Sequence, residues 1–584
     1  MRFRKLCIVL SLSLLFLAAV EVSLTGSEGT VTKGKNEMAV AGQWTELIVA
    51  AINAEQIHLQ VDGREMVLGV EQAFVDPNQN LMLSAHILTD AFSCSTRVFS
   101  GRKLVIEKNE VELVLNEGLT QMLVNGESHI LESPPVIRDD VFYLPVEALE
   151  KGLGYTYEWK SQEYLAVFNA RRPALSELPT AYDYREKGRM PSVRDQGTLG
   201  TCWAFASLSA MESALIPEER LDFSEDHMTL HHSFSTGRDD GGDYTMSMAY
   251  LTAWQGPVLE KDDPYNDGRS PGGLSAVKHV QEIRMIESKD FKAIKRAVYF
   301  YGGVQSSLYL SLQDYRSKSI YYNSENSAYC YIGNEKVNHE VVIVGWDDYY
   351  PKENFNNEVP GDGAFICLNS WGTYFGDGGV FYVSYYDTNI GIHNLVYTGV
   401  EDSDNYDHIY QSDLCGWTGQ MGYGIDTAWF ANIYEADGEE ILEAAGFYAT
   451  GSDSRYMIYV AEDVKDDLDF LKRRLVAQGE LGDAGYYTIK FDEPVDLKKG
   501  ERFAVIVKLT TPGSIHPIAI EYEVAKNADT VILDDGEGYI SARGSIWTSA
   551  EKSQECNICL KAFTSDRKDF TFTGIKKEFQ ELRN

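Results

Sequence analysis

The sequence predicts an α+β protein built from successive domains, and three observations lead there. A strand, turn, strand and helix pattern occurs twice near the N-terminus; a helix and two apolar runs mark the middle; and many short strand-like runs fill the last third. A chain of 584 residues is too long for one core, and at roughly 100 to 200 residues per domain it holds about three or four. With 44% hydrophobic residues there is ample material for them. Acidic residues number 88 against 52 basic, a net charge of -36, so nucleic acid would be repelled and is excluded as a partner. The charge reads as solubility, not as a substrate cue.

The first element is a leader. Met1-Arg2-Phe3-Arg4-Lys5 precedes an uncharged run of 15 residues, Leu6 to Val20, the layout of a signal peptide over about 1–23. Export to the medium or the cell surface follows. The run is short of the about 20 residues a spanning helix needs, although no sharp cleavage site stands out, which leaves an uncleaved anchor open. Cys7 lies in this run, so seven cysteines remain: Cys94, Cys202, Cys330, Cys367, Cys415, Cys556 and Cys559. An odd number leaves at least one thiol free, and so few in an exported chain of this length make no disulfide scaffold. Cys556-Asn557-Ile558-Cys559 has no second pair to complete a zinc site and reads as two cysteines of a terminal strand.

After a polar linker over 24–43 comes the repeat, 44–170. Val61-Asp62-Gly63, Phe74-Val75-Asp76 and Leu81-Met82-Leu83 are echoed by Val124-Asn125-Gly126, Val136-Ile137-Arg138-Asp139 and Phe142-Tyr143-Leu144-Pro145-Val146. Asp-Gly and Asn-Gly are hairpin turns, and Val146 to Leu153 reads as a short helix. The module resembles the N-terminal domain of copper amine oxidases. It implies no copper, since His58, His86 and His129 lack ligand-like spacing. Contact with the cell wall, or covering of the next domain, is the expected role.

A second linker, Arg171-Arg172-Pro173 to Pro179, opens the central domain, 178–398. The run after Cys202 carries Phe205, Leu208, Met211, Ala214 and Leu215 at helical spacing and stops at Pro217, so Cys202 belongs in a helix's first turn. Unpaired N–H groups and the positive end of the dipole favour a thiolate there, and a nearby imidazolium would lower the thiol pKa further. Gln196 stands six residues before it. His339 starts a buried-strand pattern, Val341 to Val344, 137 residues after Cys202. Asn369, in Asn369-Ser370-Trp371-Gly372, follows another apolar run, Ala364 to Leu368; its side-chain oxygen can fix a histidine tautomer while Trp371 excludes water. His231 and His232 read as surface residues.

These motifs resemble the papain-like cysteine peptidases over roughly 220 residues. The resemblance implies a two-lobed fold, one helical and one β-barrel-like. It implies Cys202 as nucleophile, His339 as base and then acid, and Asn369 as the orienting residue. Gln196 and the Cys202 N–H would form the oxyanion hole, with Trp203 and Trp371 supporting and Gly241-Gly242 clamping extended substrate. Phe223-Ser224-Glu225 and Asp263-Pro264-Tyr265 are weaker echoes. The family has a cysteine three residues before the nucleophile; here Leu199 stands there, and no cysteine lies near Phe223 to His232 to pair with one. The loop from Asp347 to Gly363 is longer than in papain, a surface excursion between base and orienting residue. The helical propeptide is also absent, its place taken by the repeat module.

From about Asp404, runs such as Phe447-Tyr448-Ala449, Tyr456 to Val460 and Phe503 to Val507 alternate with Gly, Asp and Lys turns and predict a β-sandwich over 404–566. It resembles the lectin-like domain behind some bacterial papain-like enzymes. A charged tail, 567–584, ends the chain. The expected function is an exported cysteine endopeptidase, acting as a monomer on protein or peptide substrates, with cell-wall or glycan ligands for the flanking domains and no metal or organic cofactor. Cleavage near Arg171-Arg172 would remove or displace the N-terminal segment of such a zymogen. The competing expectation is a surface adhesin with a peptidase-like scaffold.

Overall fold

The computed structural model describes residues 57–567, apart from 62–63, 69–71, 77–79, 93, 100–101, 109–110, 139–140, 161–164, 171–177, 315, 524–530 and 534–535. The leader, the 24–43 linker, the 171–177 linker and nearly all of the tail lie outside the described residues. No helix among the described residues is long and apolar enough to cross a membrane. The chain divides into two compact units, residues 1–93 with 131–173, and residues 94–130 with 174–584.

In the first unit, strands Leu81–Ser84 and Val141–Pro145 pair antiparallel, Leu83 opposite Leu144. Each is followed by a helix, Ala85–Phe92 and Glu147–Leu153. The two copies of the repeat thus lie side by side, and Leu81, Leu83 and Leu144 are fully buried between them. A second sheet joins Tyr155–Lys160, Leu165–Ala170, His58–Val61 and Arg64–Val67.

The second unit begins with an antiparallel meander of five strands, Ser95–Phe99, Lys103–Lys108, Val111–Asn116, Gln121–Val124 and Glu127–Ile130. Its last turn is Asn125-Gly126, both at positive φ, the pair that a two-residue hairpin of type I′ demands. The repeat seen in the sequence is therefore split, its middle strands packing with the rest of the chain.

A 13-stranded sheet then runs through both the central and C-terminal domains. Lys278–Ile286 is the strand of passage: it pairs with Asn394–Asp402 on one side and with Ala484–Leu497 on the other. Gly485 has φ +145, and a Cβ there would lie 2.0 Å from the Ile283 carbonyl oxygen, so only glycine fits. Beyond it a six-stranded sheet containing Thr427–Glu435, Ser454–Ala461 and Arg502–Thr510 packs on the far end of the long sheet, with Phe430, Phe447, Ile458, Val505 and Leu560 between them. The predicted sandwich is present but shares a sheet with its neighbour. The Asp347 to Gly363 excursion is also no bare loop, because Tyr350, Phe355 and Val359 bury against Ala328, Cys330 and Ala364.

Candidate active site

Helix Cys202–Leu215 starts at Cys202, with Thr201 as its N-cap, and is buried along nearly its whole length. Alternation of apolar residues on every face explains why it sits inside the core. The Cys202 side lies against strand His339–Asp347, which is fully buried to Trp346. Burial pushes the Cys202 thiol up to about 12, and the neighbouring Glu340 carboxylate pushes the same way; the backbone N–H groups of Glu340, Trp203 and Cys202 itself oppose them. The imidazole of His339 is held down at about 4 by burial, with its bond to Asn369 opposing. Burial thus works against the charged form of both groups, the thiolate and the imidazolium.

His339 Nε2 and Asn369 Oδ1 are 2.7 Å apart, both residues buried. Trp371 lies over the histidine ring at 5.2 Å between centroids. Asn369 Oδ1 also accepts from the Ser370 N–H at 2.8 Å, which fixes the amide's orientation: oxygen toward the imidazole. The loop before the nucleophile is stitched to this segment. Gln196 N donates to Ser370 O at 2.8 Å and Gly372 N to Arg194 O at 2.9 Å, with Asp195 bridged to Trp371. The Gln196 side chain is held at both ends, its Nε2 donating to Leu199 O at 2.7 Å and its Oε1 accepting from Ser370 Oγ at 2.6 Å. One amide hydrogen of Gln196 is left over by this arrangement.

Gly241-Gly242 lies against the start of the Cys202 helix. A Cβ on Gly242 would come within 2.5 Å of Trp203 Nε1, and one on Gly200 within 2.8 Å of Gly241 N. Of the weaker echoes, Tyr265 donates to Gln196 O at 3.0 Å and meets Thr201 Oγ1 at 2.7 Å, while Ser224 caps helix Glu225–Leu230. The surface reading of His231 and His232 needs correction: both are half-buried. The ring of His231 stacks on His227 at 4.3 Å, and His232 sits edge-on to Trp203 at 5.8 Å. His231 Nε2 also meets Ser270 Oγ at 2.8 Å.

Two features had no local signal in the sequence. Glu340, the residue after His339, is buried and accepts from Ser307 Oγ at 2.5 Å; burial pushes it up to about 7. Arg194 reaches Glu212 at 2.7 Å, Glu225 at 3.1 Å and also Asp222. Those partners lie on the Cys202 helix, the Glu225 helix and the loop between, the segments that a disulfide from position 199 would have joined. Cys202, Cys330, Cys367, Cys556 and Cys559 are buried free thiols, and an ion cluster fastens this part of the chain. No group of His, Cys, Asp and Glu among the described residues has the arrangement of a metal site.

Three segments match known families: residues 178–400 the papain family of cysteine proteases, 409–564 a lectin like domain, and 60–167 the copper amine oxidase N-terminal domain. Cathepsin K of Gallus gallus is 31% identical over 212 residues, 35% of this chain and 58% of that protein, so the chain spans less than two thirds of that relative. A viral cathepsin of Choristoneura fumiferana defective polyhedrosis virus is 27% identical over 264 residues, 44% of this chain and 74% of the relative. Among solved structures, the clostridial cysteine protease Cwp84 after propeptide cleavage superposes with a TM-score of 0.59 at 25% identity, covering 66% of this chain and 99% of that one. The cysteine protease and lectin-like domains of Cwp84, a surface layer associated protein of Clostridium difficile, give 0.58 at 25% identity, with 67% and 89% covered.

Proposed function

We propose, from the premise that this chain is a papain-family cysteine peptidase with a lectin-like domain behind it, that it is an exported endopeptidase working through Cys202, His339 and Asn369. The observation that carries the reading is the buried His339 to Asn369 bond beneath Trp371, on the strand whose Glu340 N–H reaches the Cys202 thiol. With Nε2 occupied by Asn369, Nδ1 of His339 is the nitrogen that takes the thiol proton. The thiolate attacks the peptide carbonyl, and the oxyanion is met by the free Gln196 amide hydrogen and the Cys202 N–H at the helix start. Imidazolium then protonates the leaving amine, and water, deprotonated by the same ring, hydrolyses the thioester. Gly241-Gly242 supplies bare backbone for pairing with an extended substrate.

The basic and apolar leader supports export, and the surface-layer association of Cwp84 supports a place at the cell surface. Glycans of the cell wall are the proposed ligands of residues 409–564. The test is hydrolysis of a fluorogenic peptide library by the exported chain under mild reduction, wild type against Cys202→Ala at equal folded concentration. Activity lost with the thiol is expected; equal turnover by both proteins would refute the nucleophile.

A further inference from the structure

The five-stranded meander of residues 94–130 meets the rest of its unit through charged side chains arranged in a closed ring. Arg97 reaches Glu282 at 2.9 Å and Glu107 at 2.5 Å. On the opposite side Arg284 reaches Glu282 at 2.7 Å and Glu107 at 3.0 Å. Two residues come from the meander and two from strand Lys278–Ile286, and the formal charges of the four cancel. The strand side of the ring is nearly out of water, with Glu282 and Arg284 side chains 5% and 9% exposed, while Arg97 and Glu107 on the meander side are 21% and 30% exposed. Neighbouring groups add to it: Tyr301 OH donates to Glu107 and accepts from Arg284, Thr398 Oγ1 donates to Glu282, and Asp483 lies 4.0 Å from Arg284. A second point of contact is apolar. The Asn125-Gly126 turn sits against the end of helix Phe291–Phe300, where a Cβ on Gly126 would be 3.2 Å from the Tyr299 ring and 3.3 Å from Phe300.

This contact is an anchorage, not a plug in the cleft. Across the sheet His339 stands opposite Leu308, Ser306 opposite Asn394, and Asn394 opposite Ile286. Glu282 lies four residues beyond Ile286, about 13 Å along the strand at about 3.3 Å per residue, and further strands separate it sideways. The strand it occupies is the one shared by the peptidase and lectin-like portions of the long sheet.

We propose that the meander is a permanently docked part of the peptidase and lectin-like body, so that a cut anywhere in 171–177 leaves the whole N-terminal fragment bound to the enzyme as a subunit instead of releasing it as a propeptide. Both ends of the meander continue covalently into residues 57–93 and 131–173. Whatever those residues do, they stay tethered to a sheet that gives up the Arg97–Glu282 and Arg284–Glu107 pairs if it leaves. Separation would take Arg97 from Glu282 and Glu107 from Arg284, halving the ion pairs of two nearly buried charges, and loss of partners at such a site is unfavourable. Buried pairs are also little screened by salt.

The experiment does not depend on the thiol chemistry, so it uses the full chain carrying Cys202→Ala, with a specific protease site placed within 171–177 and cut to completion. Gel filtration at about 0.15 M salt, where exposed charges are already screened, is followed by denaturing electrophoresis of the fractions. Both fragments are expected to co-elute at the position of the uncut protein; two resolved peaks overturn the proposal. Arg97→Glu in the same background sets like charges against Glu107 and Glu282, and its cut fragments are expected to separate; continued co-elution would show that the ring does not hold them. Should uncut Arg97→Glu fail to match the uncut parent in circular dichroism, Arg97→Met replaces it, with the fragments' dissociation constant as the readout. A rise of at least about tenfold supports the ring, and an unchanged constant refutes it.

Discussion

Asn369→Ala removes one hydrogen bond at a position where the geometry leaves nothing to replace it. Asn369 is 2% exposed, His339 is 8% exposed, and Trp371 covers the ring between them. The bond at 2.7 Å is to a ring that becomes positively charged in the reaction. Hydrogen bonds to charged groups contribute about 1.5–3 kcal/mol, and about 1.36 kcal/mol is tenfold in rate, so kcat/KM should fall roughly 10- to 150-fold. The direction has a second readout. Asn369 raises the pKa of His339 against the burial that holds it at about 4; without it the imidazole is less basic and the thiolate–imidazolium form is rarer. Alkylation of Cys202 by iodoacetamide between pH 5 and 8, a range that spans roughly the ordinary imidazole pKa, should therefore slow along with turnover. A folded Asn369→Ala protein with kcat/KM within about twofold of wild type and an unchanged alkylation profile would refute the argument.

Ser370→Ala frees one end of the Gln196 amide, which Ser370 Oγ holds at 2.6 Å; at about 0.5–1.5 kcal/mol for such a bond, kcat should drop about 2- to 10-fold with KM nearly constant, and steady-state kinetics would check both. Glu340→Gln removes a carboxylate that, charged above about pH 7, disfavours the Cys202 thiolate, so iodoacetamide reactivity above that pH should rise; unchanged or slower reactivity there would count against it. Stability should depend on pH with a definite sign. Burial raises Glu112, Glu212, Glu340 and Glu521 to about 7 and Glu225 to about 8, so the folded state holds protons the unfolded chain has lost, and that stabilisation disappears as pH rises through 7 to 8. His227, His232 and His339, lowered to about 4, act in the opposite sense, costing stability as pH falls below about 6.5. Thermal unfolding followed by circular dichroism should thus give a Tm that declines from about pH 6.5 to 8, and a flat or rising Tm there would contradict these assignments.

How much of this was legible follows from how local each signal is. The apolar spacing after Cys202 and the stop at Pro217 mark a helix that spans Cys202–Leu215, and the uninterrupted apolar run predicts strand Ala364–Leu368. Such patterns are written by burial of one face or of all faces, and they survive in sequence. The Asn125-Gly126 turn was readable for the same reason, since few residues accept positive φ. By contrast, Arg194 finds Glu212, Asp222 and Glu225 across 18 to 31 residues, and a charge paired at that distance looks like any surface charge. The burial of His231 and His232 was missed because their partners Ser270 and Trp203 lie on other segments. Nor could the split of the repeat be read: both copies share one pattern, and the contacts that seat residues 94–130, Arg97 on Glu282 and Gly126 against Tyr299, join segments far apart in sequence.

The strand of passage bears on how this protein can be taken apart. Glu282, Ile283, Arg284 and Met285 each face a residue of strand Ala484–Leu497. A peptidase fragment ending near 400 would turn this interior strand into an edge, with a row of unpaired N–H and C=O groups open to any neighbouring chain. Such a fragment invites self-association, and the converse fragment loses the partner that shapes Gly485. The seam is thus a poor place for a junction: a cut there exposes a strand edge on both portions.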